Sequence, residues 1–338
     1  MKRLLPLLCL MALLAACEKD IEFDGAITEP MLVINAVALP DTTLSVEVTE
    51  SRFFLVSQDT FTTVKNATVS LFVNGTFKEN CAHQANGRYT SNYRPSEGDH
   101  IRLSVSAPGL QTVSAETMIP MRPVIERIDT SLSIPEAYPI SYNYYDSQGN
   151  SIGGDTTGWN IHYKMTITLT FKDPGGQADY YRLVVKRQRD YYQEGYFENI
   201  WYTKDDIVFG ETETGADMEE IIDMGTYNIY GTFTDELFDG RSYPLTFGVE
   251  EWIYVSNEDY NSGRMPLDST KKASEDTEPY IIDLQALDKS YYLYLLTSSA
   301  YDPYSPFAEP VQIHSNVEHG IGILGAYAGS NLKLSLSF

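Results

Sequence analysis

Gly149-Asn150-Ser151-Ile152-Gly153 has the spelling of a nucleophile elbow, the tight turn that lifts a serine between a buried strand and a helix so that its hydroxyl can attack a carbonyl. The neighbours do not supply that setting. Tyr142-Asn143-Tyr144-Tyr145-Asp146 precedes and Gly154-Asp155-Thr156-Thr157-Gly158 follows, so the segment reads as a glycine-rich loop rather than a strand-turn-helix. His314 and His319 are the nearest approach to a metal pair. Five residues apart, they point to opposite faces of a strand, or stand about 140° apart on a helix, and only a turn at Asn316 could converge them. Asp259-Tyr260-Asn261-Ser262-Gly263 imitates the front of a calcium loop, but its twelfth position is Thr270, which cannot supply the bidentate carboxylate. Cys81 has His83 as its nearest base, in a polar stretch that reads as a hairpin, so it is expected to be a half-buried, inert thiol. These residues yield no catalytic set, no metal site and no cofactor site.

Aromatic residues offer binding chemistry instead. The chain has 25 Tyr and 3 Trp. Tyr142, Tyr144, Tyr145 and Trp159 flank the glycine-rich segment, and Tyr191, Tyr192, Tyr196, Trp201 and Tyr202 crowd another. A tyrosine presents a rigid apolar ring with a polar tip, suited to stacking on a sugar or gripping a peptide or a partner's loop. The same rings are also ordinary sheet residues, and the sequence does not separate exposed rings from core.

The N-terminus carries a different chemistry. Lys2 and Arg3 precede an apolar run that ends at Cys17, too short to span a bilayer and laid out as a secretory leader. Leu14-Ala15-Ala16-Cys17 resembles the bacterial lipobox. On that resemblance residues 1–16 are a signal peptide and Cys17 is the lipidated first residue of the mature chain. Each buried methylene of such acyl chains contributes about 0.8 kcal/mol, so several chains hold a protein on a membrane. Cys9 then leaves with the leader and Cys17 is spent on lipid, which leaves Cys81 without a disulfide partner. Glu18, Lys19, Asp20, Glu22 and Asp24 follow at once, within an acidic tether over 17–30.

Composition bounds the remaining possibilities. The chain has 338 residues, 47 acidic against 24 basic, and a formal charge of -23. With 43% hydrophobic and 12% aromatic residues it can build packed cores, so a disordered or collagen-like chain is excluded. Nucleic acid is excluded as a partner because phosphate recognition needs clustered Lys and Arg, and none appears. Length suggests about two domains.

The elements that must position these residues are strands. Leu44, Val46 and Val48 alternate with polar residues, as do Val69, Leu71 and Val73, and then Ile101, Leu103 and Val105; period two means one buried and one wet face. Asn74-Gly75 between two such runs predicts a tight hairpin. The expected fold is mainly β, with an immunoglobulin-like or transthyretin-like sandwich over 31–120 and a second β-rich domain over 121–338. In the latter, Ile161, Tyr163, Met165, Ile167, Leu169 and Phe171 alternate with polar residues up to the stop Asp173-Pro174-Gly175-Gly176. Further strands are expected over 123–131, 181–186, 243–249 and 321–327, a polar loop over 256–278, and one short helix capped by Asp288.

Specific segments resemble one family. They are Cys17-Glu18-Lys19-Asp20-Ile21-Glu22-Phe23, Leu32-Val33-Ile34-Asn35, Asp173-Pro174-Gly175-Gly176 with Tyr180-Tyr181-Arg182-Leu183, and above all Pro306-Phe307-Ala308-Glu309-Pro310-Val311-Gln312-Ile313 with Ser315-Asn316-Val317 and Gly320-Ile321-Gly322-Ile323. The chain is identified on these as a member of the Bacteroidota lipoprotein family called domain of unknown function 4249. The resemblance implies an outer-membrane lipoprotein, often encoded beside TonB-dependent transporters, with no established activity and no catalytic residues to carry over. Acidic residues behind the lipidated cysteine resemble those that send Bacteroidota lipoproteins to the cell exterior. The function expected is therefore non-catalytic: a lipid-anchored accessory binding or docking module beside a TonB-dependent nutrient transporter, with a glycan or peptide ligand. A structural or adhesion component of the envelope is the competing expectation.

Overall fold

In the computed structural model, residues 29–52, 61–188, 196–210, 228–263, 279–301 and 311–334 are described. Residues 1–16, expected to be a leader, and Cys17 lie outside them, as do the 306–310 part of the family-like motif, Tyr191 and Tyr192, and Thr270.

Alternation of apolar and polar residues builds the N-terminal sandwich from β1 (Leu32–Ala38), β2 (Ser45–Glu50), β3 (Thr68–Val73), β4 (Thr76–Asn80), β5 (Ala82–His83), β6 (Arg88–Thr90), β7 (His100–Ser106) and β8 (Val113–Met118). One layer runs β1-β2-β6-β5 and the other β4-β3-β7-β8. Their inward residues, among them Ile34, Val46, Val48, Leu71, Leu103 and Val105, form one buried cluster. Asn74 and Gly75 have φ of 51° and 75° and join β3 to β4, the left-handed pair that a two-residue hairpin of the right twist requires. Cys81 is buried on this core, and burial pushes its thiol up to about 11. It is thus buried where the sequence suggests half-buried, and a raised thiol holds less of the reactive thiolate at neutral pH.

The second unit contains β9 (Val124–Leu132), β10 (Glu136–Tyr145), β11 (Ser151–Lys172), β12 (Tyr180–Gln188), β13 (Phe197–Asn199), β14 (Thr232–Thr234), β15 (Ser242–Ser256), β16 (Tyr280–Leu287) and β17 (Ile321–Leu334). The lower half of β11, flanked by β9 and β15, packs Met165, Ile167, Leu169 and Phe171 against Tyr181, Leu183 and Val185 of β12 and Ile282 and Leu284 of β16. Asp288 caps the helix Lys289–Ser299, accepting from the amides of Ser290 and Tyr291 as its sequence predicts. The polar 256–278 segment is not all loop. It opens with a short helix, α1 (Asn257–Asn261), capped by Ser256, and the helix after Asp288 is therefore α2 (Lys289–Ser299). Two α-helices thus stand among the described residues where the sequence suggested one. None is long and apolar enough to cross a membrane.

The two units share a sheet. The first half of β17 lies parallel to β1, and its second half lies antiparallel to β16, so one strand near the C-terminus closes the N-terminal sandwich and the second unit alike. Among the described residues this makes a nine-stranded sheet that crosses the 120/121 boundary. Asn316 reinforces the crossing: its amide nitrogen donates to the carbonyls of Glu116 and Leu324, and its oxygen accepts from the Leu324 amide.

Candidate functional site: an aromatic face on the β10-β11-β15 ribbon

The sequence candidates disperse. Gly149 and Asn150 lie in the hairpin turn, as a loop there would have it, while Ser151 begins β11 opposite Tyr145 and is exposed, so the elbow-like spelling straddles a turn and a paired strand, with no helix after it. The register explains why: Gly153, Gly154 and Gly158 pair with Tyr144, Asn143 and Ile140, and the strand tolerates them because β10 supplies the side chains. Asp259 lies in α1, where its carboxylate accepts from the Ser256 hydroxyl of the N-cap, and the calcium-like spelling runs on through the end of that helix, with Ser262 as its C-cap and Gly263 at a φ of 71°. His319 is exposed at a φ of 61°, while His314 is half-buried. Of the second aromatic group, Tyr202 belongs to the core and Tyr196 and Trp201 are exposed.

What the fold brings together is a run of rings. Beyond the core of the second unit, β11 extends with β10 on one side and β15 on the other, forming a three-stranded ribbon. Its inner face is a small core of Ile161, Tyr163 and Val255, with Trp159 stacked on Tyr260 of α1 at 4.0 Å between centroids. That placement makes Trp159 structural. Period two puts the alternate residues on the outer face, in rows fixed by the register. Glu136, His162 and Trp252 form one row, and Tyr138, Asn160 and Tyr254 the next. A bulge at Thr157 shifts the pairing, after which Tyr142 stands opposite Asp155 and Tyr144 opposite Gly153.

The outer face thus carries Tyr138, Tyr142, Tyr144, Trp252 and Tyr254, which are between 45% and 63% exposed. Eight residues separate the first and last rows along β10, about 27 Å at ~3.4 Å per residue. The rings hold one another: Tyr138 meets Trp252 at 5.4 Å, Trp252 stacks on His162 at 4.4 Å, and Tyr142 meets Tyr144 edge-on at 5.5 Å. The Tyr254 ring lies directly over Gly158, where a Cβ would come within 2.4 Å of it.

Carboxylates punctuate the rings. The Tyr138 hydroxyl donates to Glu136 at 2.5 Å and the Tyr144 hydroxyl to Asp155 at 2.8 Å, bonds that hold both phenols protonated above their usual range. His162 Nε2 sits 3.3 Å from Glu250 Oε2. Flat apolar rings edged by acceptors can stack on a planar or sugar-like face while accepting hydrogen bonds from its donors. Trp252 and Tyr254 belong to the face although the sequence reading ended that strand at 249; extending the alternation of β15 by three more pairs would have found them. A separate cleft of about 790 Å³ opens between the two units, lined in part by Met118, Met121, Val124 and Tyr180.

Fold and face together define a mainly β protein: an N-terminal β-sandwich, a second β-rich unit with short helices, and a projecting aromatic ribbon. The chain belongs to the family DUF4249, described as a domain of unknown function, which matches residues 18–332. No curated protein matches it. One similar solved structure is described as "Structural basis for the promiscuous specificity of the carbohydrate-binding modules from the beta-sandwich super family"; it is 9% identical, with 69% of this chain and 98% of that chain covered and a TM-score of 0.18. Another, from Corynebacterium diphtheriae and described as membrane anchored, is 8% identical, with 90% and 61% covered and a TM-score of 0.19. At these scores neither likeness carries a functional argument.

Proposed function

We propose that this protein is a non-catalytic lipoprotein of the outer membrane, anchored through Cys17 and facing the cell exterior, which serves as an accessory binding or docking module beside a TonB-dependent nutrient transporter. The observation that carries the binding role is the outer face of the ribbon, with its five exposed rings and interleaved carboxylates on three hydrogen-bonded strands. Solvent-exposed aromatics in such a row gain nothing for folding by being exposed; they supply contact area at low cost in side-chain entropy, which is the economy of a binding surface. A glycan or an extended peptide fits its length. The lipobox-like Leu14-Ala15-Ala16-Cys17 and the acidic residues behind it support the address.

The address is tested by protease shaving of intact cells beside a Cys17→Ala control. Release of the chain from wild-type cells, and its loss from the membrane fraction in the variant, are the results expected. Binding is tested by co-purification from detergent-solubilised membranes and by glycan and peptide screening, in wild type and in a Tyr138→Ala/Trp252→Ala/Tyr254→Ala variant. A stoichiometric transporter or a ligand lost in the triple variant supports the reading. No transporter and no ligand, together with a general envelope or adhesion defect on deletion, would replace it with a structural role.

A further inference from the structure

We propose that the turn after β11 and the turn between β14 and β15 together form a binding site for a hard divalent cation of the calcium class, held by Asp173, Asp235 and Asp239. One carboxylate oxygen from each of the three lies within 4.8 Å of the other two. Ligands at 2.3–2.6 Å from one ion stand up to about 5 Å apart, so this spacing suits a shared ion. Sixty-two residues separate Asp173 from Asp235 in the chain, and only the packing of the two turns joins them. The turns run in close contact, for a Cβ on Gly175 would come within 2.5 Å of the Gly240 Cα.

The hydrogen-bond pattern leaves buried acceptor atoms in the cluster unpartnered. Asp173, fully buried, accepts from the Tyr181 hydroxyl and the Gly240 amide, each at 2.7 Å. Asp239 accepts from the Gly176 amide at 2.9 Å. Asp235 is only 3% exposed, yet its Oδ2 is buried without a hydrogen-bond partner. Asp179 beside it also has a buried Oδ2 without a partner, and its other oxygen takes the Gln177 amide at 3.0 Å. Among the described residues none of these four carboxylates has a Lys, Arg or His within ion-pair distance; Lys172 gives its ammonium to the Gly240 carbonyl instead. Buried carboxylates in native proteins are paired, hydrogen-bonded or metal-bound, and here the first two leave Oδ2 of Asp235 unaccounted for. All donors are oxygens, which selects calcium-like ions over softer metals. The ion would tie two turns at one end of the second unit, in a chain whose buried Cys81 is free.

The test uses the full chain, purified in detergent and stripped with chelator. Calorimetric titration with CaCl₂ alone is expected to show one saturable site, with a rise of a few degrees in the unfolding midpoint at a hundred-fold excess over Kd. Asp235→Asn and Asp239→Asn are each expected to weaken binding at least ten-fold. Asp239 is exposed, so its variant folds even if Asp235→Asn does not. The proposal is overturned by no saturable binding to the wild type, by wild-type affinity in Asp239→Asn, or by an equal loss in Asp129→Asn, which would mean diffuse charge attraction.

Discussion

Trp252 of β15 stacks on the imidazole of His162 of β11, at 4.4 Å between centroids and 22° between planes. The two residues are direct cross-strand partners on the outer face, so the stack is a product of register. His162 also reaches Glu250, which fixes the imidazole beneath the indole. Trp252 is 56% exposed even with Tyr138 and His162 against it, so part of the indole is accessible to a ligand.

If Trp252 is a central contact, Trp252→Ala should cost about 2 kcal/mol in binding, or a thirty-fold loss in affinity for whichever ligand or partner is captured. The same variant should lose less than about 1.5 kcal/mol of stability, the scale of an aromatic pair at the surface. Binding isotherms and urea unfolding on one preparation separate the two. A large stability loss with unchanged affinity would make the indole structural.

Gly158→Ala should move the Tyr254 ring, because the new methyl would occupy its place. The ring is 61% exposed and can swing into solvent, so stability should change little while affinity falls several-fold. Unchanged affinity would place Tyr254 outside the contact.

Asn316→Ala removes three hydrogen bonds that join the 311–320 segment to β8 and β17. Leaving the Leu324 amide and carbonyl without that partner should cost about 1–3 kcal/mol, seen as a lower urea midpoint with the slope retained. A drop below 0.5 kcal/mol, roughly the scale of a neutral surface change, would show that water replaces the side chain.

Cys81 gives a pH prediction. Its folded thiol is raised from an ordinary value of 9.0 to about 11 by burial and by Glu79 nearby. A raised folded value favours the protonated form in the native state, so this stabilisation is complete below pH 9 and is lost as pH rises toward 11. Native protein should therefore resist thiolate-directed alkylation at pH 8 and become labelled on denaturation. Rapid native labelling at pH 8 would contradict the burial.

Much of the frame was legible from short-range signals. The alternation in β3, β7 and β11, the Asn74-Gly75 hairpin and the Asp288 cap each follow from interactions within a few residues. The family-like Ser315-Asn316-Val317 was visible as a motif, but its task was not, since Glu116 lies two hundred residues earlier.

The sequence by itself determined a mainly β chain whose strands alternate core-facing and outward residues, because period-two burial and turn chemistry are written locally. Only tertiary structure decided the rest. It ran β17 across both units, aligned Tyr138 with Trp252 and Tyr254 on one face, and brought Asp173 to Asp235 and Asp239. Those juxtapositions depend on register between distant strands, and register is set by how whole faces pack, which no local run of residues encodes.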